Sequence, residues 1–300
     1  RAIELSASGG HNILMIGPPG SGKSMLAKRI PSILPSLSEL EMIETTKIYS
    51  VIGGHKGLVD QPPFRNPHHT ISDVALVGGG SHPMPGEISL AHNGVLFLDE
   101  FPEFKRSVIE VLRQPLENRE ITISRALKTN TYPAKFMLVL AMNPSPEGNY
   151  YHENSMYSKQ KVFKYLEKLS KPLMDRIDLQ LEIDPVPISE LASNEVKIET
   201  SAEIKKRVVA VRKIQYLRQQ KTNAFLNEKE LKKYCKLNDE SMRFLVKTGQ
   251  KMSITARSYS RILKVSRTIA DMDNAKNIEL KHILESLQYR SLERLKAFLG

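Results

Sequence analysis

Gly17-Pro18-Pro19-Gly20-Ser21-Gly22-Lys23-Ser24 stands between the apolar run Ile13-Leu14-Met15-Ile16 and a helical stretch running from Ser24 to Ile30. The spacing is that of a P-loop, and strand–turn–helix is the setting the motif requires. Glycines at 17, 20 and 22 let backbone N–H groups turn inward around phosphate oxygens, and the helix start adds its dipole. All eight residues, with Pro18, Pro19 and Ser21 between the glycines, are read as an ATP-binding loop. Lys23 is expected on the β- and γ-phosphates and the Ser24 hydroxyl on Mg²⁺. The plain alternative is a glycine turn with an exposed lysine.

A second apolar run lies about 75 residues on and ends in two carboxylates, Val95-Leu96-Phe97-Leu98-Asp99-Glu100. Open α/β sheets bind ligands at the carboxyl ends of their strands, which is where these acids fall. Asp99 is expected to hold magnesium, and Glu100 to orient and polarise the attacking water. A third run closes at Leu140-Ala141-Met142-Asn143, and the Asn143 amide suits positioning of water or γ-phosphate. Asn143-Pro144 would also make a turn with no such role. Arg176, in Pro172-Leu173-Met174-Asp175-Arg176-Ile177-Asp178, reads equally as part of an exposed ion-pair network or as an arginine finger for a neighbouring subunit's phosphate. The histidines at 55, 68, 69, 82 and 92 match no zinc spacing.

Strands at 13–16, 95–98 and 136–140, with helical patterns such as Ser107 to Leu116 between them, predict a doubly wound, mostly parallel sheet. Residues 53–87 are rich in Gly, Pro and His and read as too broken for regular core structure. Residues 119–136 alternate apolar and polar as a projecting hairpin would. After Pro185-Val186-Pro187 the chain turns basic and helical, over roughly 201–220, 228–235, 239–248, 257–272 and 279–299. The expected division is an α/β core over 1–190 and an all-α region over 191–300.

Of 300 residues 44 are Lys or Arg and 33 Asp or Glu, and the excess is one-sided. Residues 1–155 carry 14 basic and 15 acidic side chains, and residues 156–300 carry 30 and 18, a net of −1 against +12. So basic a second half suits a polyanionic partner, DNA above all, or else simply a set of solvated helices. With no Trp there is little sign of base stacking. The single Cys235 cannot form an internal disulfide, and no apolar run reaches the ~18 residues of a membrane span, so the cytoplasm is the expected compartment. The chain opens Arg1-Ala2-Ile3-Glu4-Leu5, already inside an apolar-periodic segment, as a piece of a longer protein would.

Gly78-Gly79-Gly80-Ser81-His82-Pro83-Met84-Pro85-Gly86-Glu87-Ile88-Ser89-Leu90-Ala91-His92-Asn93-Gly94, running straight into Val95–Glu100, resembles the magnesium-chelatase-like AAA+ ATPases of ComM/YifB type. Asn66-Pro67-His68-His69-Thr70, Pro172–Asp178, Thr255-Ala256-Arg257-Ser258-Tyr259-Ser260-Arg261-Ile262 and Gln288-Tyr289-Arg290-Ser291-Leu292 resemble the same family, so the likeness spans nearly the whole chain. It implies a P-loop AAA+ core with a helical lid. It makes Asn143 sensor 1, Arg176 the arginine finger and Arg257 the sensor 2 arginine. Residues 53–87 become an insert in helix 2 and 119–136 the hairpin before sensor 1, both facing the channel of a homo-hexameric ring. The family also carries an inactive Lon-protease-like domain upstream, and ComM-type members are associated with DNA branch migration. Where many members read Asn-Pro-Cys-Pro-Cys-Gly, this chain has Asn143-Pro144-Ser145-Pro146-Glu147-Gly148, so no zinc role is expected there.

Three functions fit this pattern: a DNA motor of helicase or branch-migration type, a metal-chelatase motor subunit, and a MoxR-like chaperone. The basic second half favours DNA. The long insert sequence favours the ComM/YifB type over true chelatase subunits. Within the proposed hairpin, Arg119, Arg125, Lys128 and Lys135 outnumber the one acid Glu120 and suggest a phosphate grip.

Overall fold

The computed structural model describes residues 1–53, 57–80, 83–125, 128–150, 158–185, 199–251 and 254–292; the side chains of Arg125, Lys128 and Lys251 fall outside that description. The strands in chain order are β1 Ile13–Ile16, β2 Phe64–Arg65, β3 Gly78–Gly79, β4 Met84–Pro85, β5 Val95–Leu98, β6 Glu120–Arg125, β7 Lys128–Pro133, β8 Met137–Met142 and β9 Leu179–Glu182. Five of them form one sheet in the order β2-β5-β8-β1-β9, every neighbour parallel. Ile13 lies level with both Val139 and Leu179, and Val95 with Met137, so the carboxyl ends of the strands share one edge.

Helices cover both faces, which is why β1 and β5 are apolar at every position instead of alternating. Leu14, Ile16, Leu96, Leu98, Leu138 and Leu140 point into a cluster with Val108, Leu112, Val162 and Leu166. Their neighbours Ile13, Met15, Val95, Phe97, Val139 and Ala141 point the other way, onto Leu5, Ala27, Ile30, Val208 and Ile269. The second face is thus closed partly by the helices Ala2–Gly9 and Lys23–Ile33 and partly by the C-terminal helices Ser201–Gln219 and Ala256–Met272. Capping boxes start three of the C-terminal helices, Thr200 with Glu203, Asn227 with Glu230 and Glu279 with His282. These helices hold a core of their own around Leu231, Leu245, Ile262 and Ile283. The Tyr289 carbonyl accepts from the Gln180 backbone amide at 2.8 Å, tying the helical region to the β9 edge. A parallel α/β sheet with an all-α region after it is therefore the fold, as expected. The anticipated boundary near 190 falls on residues 186–198, outside the described residues.

Three expectations need correction. Residues 53–87 do enter the core: the helix Asp73–Val77 buries Leu76 completely and Ile71 packs beside it. Ser107 to Leu116 is not one helix but two, Arg106–Val111 and Arg113–Asn118, because Pro115 has no N–H for the Val111 carbonyl. The four cations between 119 and 135 do not form a common free face. Arg119 caps the helix before β6 in a left-handed conformation, and its guanidinium lies 3.7 Å from the Phe225 ring centroid. Lys135 pairs with Glu41 at 3.3 Å and also faces Phe225. Both therefore anchor the base of the β6–β7 pair against the C-terminal helices. Arg125 and Lys128 are the last paired residues before residues 126–127, which are outside the described residues.

Candidate nucleotide-hydrolysis site

The P-loop leaves β1 at the carboxyl edge of the sheet and enters the helix Lys23–Ile33. Gly20 and Gly22 take φ of 77° and 86°, a left-handed region that strains other residues. A Cβ on Gly17 would run into the Ile183 carbonyl and approach Ser21 Oγ to 2.7 Å. By contrast, a Cβ on the exposed Gly20 would meet nothing within 4 Å, so only its left-handed backbone calls for glycine there. Lys23 Nζ lies within this curl and donates to Gly17 O at 2.6 Å and Pro18 O at 2.8 Å. It also reaches Ser21 Oγ and Asn143 Oδ1, each at 3.3 Å. Burial lowers its pKa from the ordinary lysine value, against the opposing pull of Asp99. A partly desolvated ammonium held only by neutral oxygens is one that a phosphate would recapture.

Ser24 Oγ donates to Asp99 Oδ2 at 2.5 Å. This convergence joins a P-loop hydroxyl to the acid closing β5, the pair of hard oxygen ligands that a magnesium ion takes beside phosphates. The residues present fit both ATP and Mg²⁺. Glu100 follows at a φ of 49°, exposed, with its carboxylate 3.2 Å from His69 Nδ1. Lys23, Ser24, Asp99 and Asn143 are thus brought together, while Glu100 is adjacent but turned aside.

Arg176 and Arg257 are at the other end of the sheet. Asn12, just before β1, donates to the Arg176 carbonyl at 2.9 Å, whereas the P-loop leaves β1 after Ile16. Four strand residues, roughly 13 Å of rise, separate those levels. The Arg176 side chain is buried, bonded to Glu117 and to the Pro172 carbonyl. Arg257 lies on the exposed start of the helix Ala256–Met272 and lines one open cleft of about 560 Å³ with Arg176, Arg261, Lys264 and Glu117. No P-loop residue lines that cleft.

Sequence reasoning missed Arg261, Asp178 and His11, which fix this end. Arg261 bonds to the Asp178 carboxylate and the Asp175 carbonyl, and His11 Nδ1 lies 3.6 Å from Asp178. Burial works to raise the Asp178 pKa, but Arg261 and His11 outweigh it and hold the carboxyl well below the usual range. Arg261 follows Arg257 by one helical turn, and that spacing was the available signal. Glu117, three residues before the hairpin strand, carried none.

A family model described as magnesium chelatase, subunit ChlI, matches residues 1–191, and one described as its C-terminal part matches residues 198–290. The chain belongs to the magnesium chelatase ChlI family. Among similar proteins, competence protein ComM of Haemophilus influenzae is 49% identical over 297 residues, covering 98% of this chain and 58% of that protein. The uncharacterized protein YifB of Escherichia coli is 47% identical, covering 98% and 59%. The maternal DNA replication licensing factor mcm6 of Xenopus tropicalis is 23% identical, covering 95% of this chain but 33% of that protein. The chain thus spans a little under three-fifths of the ComM and YifB proteins, and the ComM/YifB likeness read from the sequence holds. As members of an AAA+ ATPase-like family, such chains combine a P-loop core with a helical C-terminal part. No helix among the described residues is long and apolar enough to cross a membrane.

Proposed function

We propose that this chain is an ATP-hydrolysing motor unit that works in a ring of like copies, a homo-hexamer, and acts on DNA. The reading assigns residues 1–190 to the nucleotide-binding core and 191–300 to the helical lid, and takes the cytoplasm as its compartment. The observation that carries it is the split of the basic residues. Lys23 sits at the carboxyl edge of the sheet with Ser24 and Asp99, while Arg176 and Arg257 share a cleft beyond its amino edge. One subunit cannot bring both sets onto one phosphate, but a neighbour in a ring can.

In this account Gly17 to Ser24 cradle the phosphates and Lys23 exchanges its carbonyl partners for β- and γ-oxygens. Mg²⁺, held by Ser24 and Asp99, supplies charge to the phosphate oxygens when bound. Glu100 accepts the proton of the attacking water, and Asn143 fixes Lys23 and the water. Arg176 and Arg257 of a neighbour supply charge to the transition state. ADP and phosphate leave when that interface opens.

DNA as the client is supported by the +12 second half and by similarity to a competence protein and a DNA replication licensing factor. The family description keeps a chelatase-type motor subunit as the second reading. ATPase assays with single-stranded, duplex and branched DNA separate them. The DNA reading expects stimulation that declines steeply with salt; rates indifferent to every DNA would turn the account toward the chelatase-type reading.

A further inference from the structure

The helices Ala2–Gly9 and Lys23–Ile33 both end at the amino edge of the sheet. The helix Ser201–Gln219 packs on both, but beside their ends it leaves a cavity of about 460 Å³. That size falls within the roughly 300–1,000 Å³ of small-molecule sites. Gly10, Gly94 and Phe136, which lead into β1, β5 and β8, line it, as do residues 34–38. The 11 residues of the helix Lys23–Ile33 separate that turn from the P-loop, roughly 16 Å of rise, and no P-loop residue lines the cavity. It is distinct from the nucleotide site.

Its walls combine apolar surface with unmatched positive charge. Leu34, Leu37, Phe136 and Met137 line it from the core. The helix Ser201–Gln219 contributes Val209, Arg212, Lys213 and Tyr216, whose spacing puts them on one stripe. Val209 stays 42% and Tyr216 36% exposed, so the chain's own residues do not cover this stripe. Three lining cations, Lys135, Arg212 and Lys213, meet a single lining acid, Glu41, which Lys135 and the Ser38 amide already engage. Arg212 donates through Nε and Nη2 to the Ala7 carbonyl, at 2.9 and 2.7 Å, and has no carboxylate partner among the described residues. Burial lowers its pKa, against the opposing pull of Tyr216 and Glu41. Like Lys23 at the other edge, it is a partly desolvated cation held by a neutral oxygen. Two further lining residues carry buried oxygens with no hydrogen-bond partner among the described residues, Thr222 Oγ1 and Asn93 Oδ1. Unpaired buried polar atoms call for a partner, and these two offer a donor and an acceptor.

We propose that this cavity is a second ligand site, which takes a small organic anion with a flat apolar body. The body lies between the core wall and Tyr216, and the anionic group meets Arg212 and Lys213. Because the walls belong to the core and to a C-terminal helix, a bound molecule ties the two together.

Two probes test this: 8-anilinonaphthalene-1-sulfonate, an aromatic sulfonate, and N-phenyl-1-naphthylamine, its uncharged counterpart, each titrated by fluorescence against the whole chain. The parent should bind one sulfonate per chain, about tenfold tighter than the amine, the factor that one hydrogen bond to a charged group supports. Arg212→Met should bring the sulfonate down to the affinity of the amine and leave the amine as before, whereas Arg212→Lys should keep the preference. Val209→Trp, which sets a large side chain in the cavity wall, should weaken both probes. Adding ADP and Mg²⁺ should leave the sulfonate bound. The absence of a saturable site, or equal affinities for the two probes in the parent, overturns the proposal. So does a sulfonate affinity that Arg212→Met and Val209→Trp leave unchanged, or displacement of the sulfonate by ADP, which would put it in the P-loop.

Discussion

Lys23 and Ser24 open a helix, Asp99 and Asn143 follow two strand ends, and each of the four makes a contact that depends on its own functional group. A carboxylate at 100 accepts a proton that an amide cannot, so Glu100→Gln should keep ATP binding and lose turnover on the order of 10²-fold or more. Nucleotide titration beside a turnover assay checks both halves of that expectation. Lys23→Ala should lose binding itself if, as proposed, its ammonium, already stripped of part of its water, is the loop's cation for phosphate. These residues were legible in the sequence because fixed spacing and a strand–turn–helix setting carry the information locally. Arg257 was nameable only through family likeness, since a lone arginine at a helix start has no local signature. Glu117 and His69 were not legible as partners: their contacts join segments 59 and 31 residues apart in the chain.

At the scale of elements, the apolar runs at β1, β5 and β8 were readable because both faces of those strands are buried. Phe64–Arg65 is too short to show a pattern, and Leu179–Glu182 ends in polar residues at the sheet edge, so β2 and β9 escaped notice. Leu76 escaped in the same way, because the five-residue helix Asp73–Val77 is too short to show a period. The join between sheet and lid depends on the buried Asp178, paired with Arg261 and accepting from the Asn12 amide at 2.9 Å. Asp178→Asn should cost about 3 kcal/mol, since breaking a buried pair strands the remaining charge. Its folded pKa lies below the unfolded value, so its contribution is complete above about pH 4 and is lost as pH falls through the folded value. Denaturant melts of parent and variant should therefore converge toward acid; a constant gap across pH would contradict this. The hairpin tip gives a separate test. Alanines at Arg125 and Lys128 should weaken DNA binding and lower its salt slope by ~1 for each phosphate no longer neutralised, while basal ATPase stays. Unchanged binding would move the grip to the helices Ser201–Gln219 and Glu228–Tyr234, where Lys206, Lys213, Lys229, Lys232 and Lys233 are exposed.

At the scale of the molecule, a charge excess confined to the second half is matched by a site divided between two ends of one sheet. Cys235 is buried, with its thiol pKa pushed up to about 12 by that burial, so it reports global opening of the helical region and plays no part in the chemistry. A finger that acts only between copies makes ATPase activity per subunit rise with protein concentration. It also makes two inactive variants complementary. Arg176→Ala retains an intact P-loop, and Lys23→Ala retains an intact arginine. Each alone should be nearly inactive, by roughly 10³-fold for the arginine. Titrating one into the other at fixed total protein and measuring phosphate release should restore activity that peaks at intermediate ratios. No recovery at any ratio, with Arg176→Ala alone turning over at the parent rate, would contradict a site completed by a neighbouring copy.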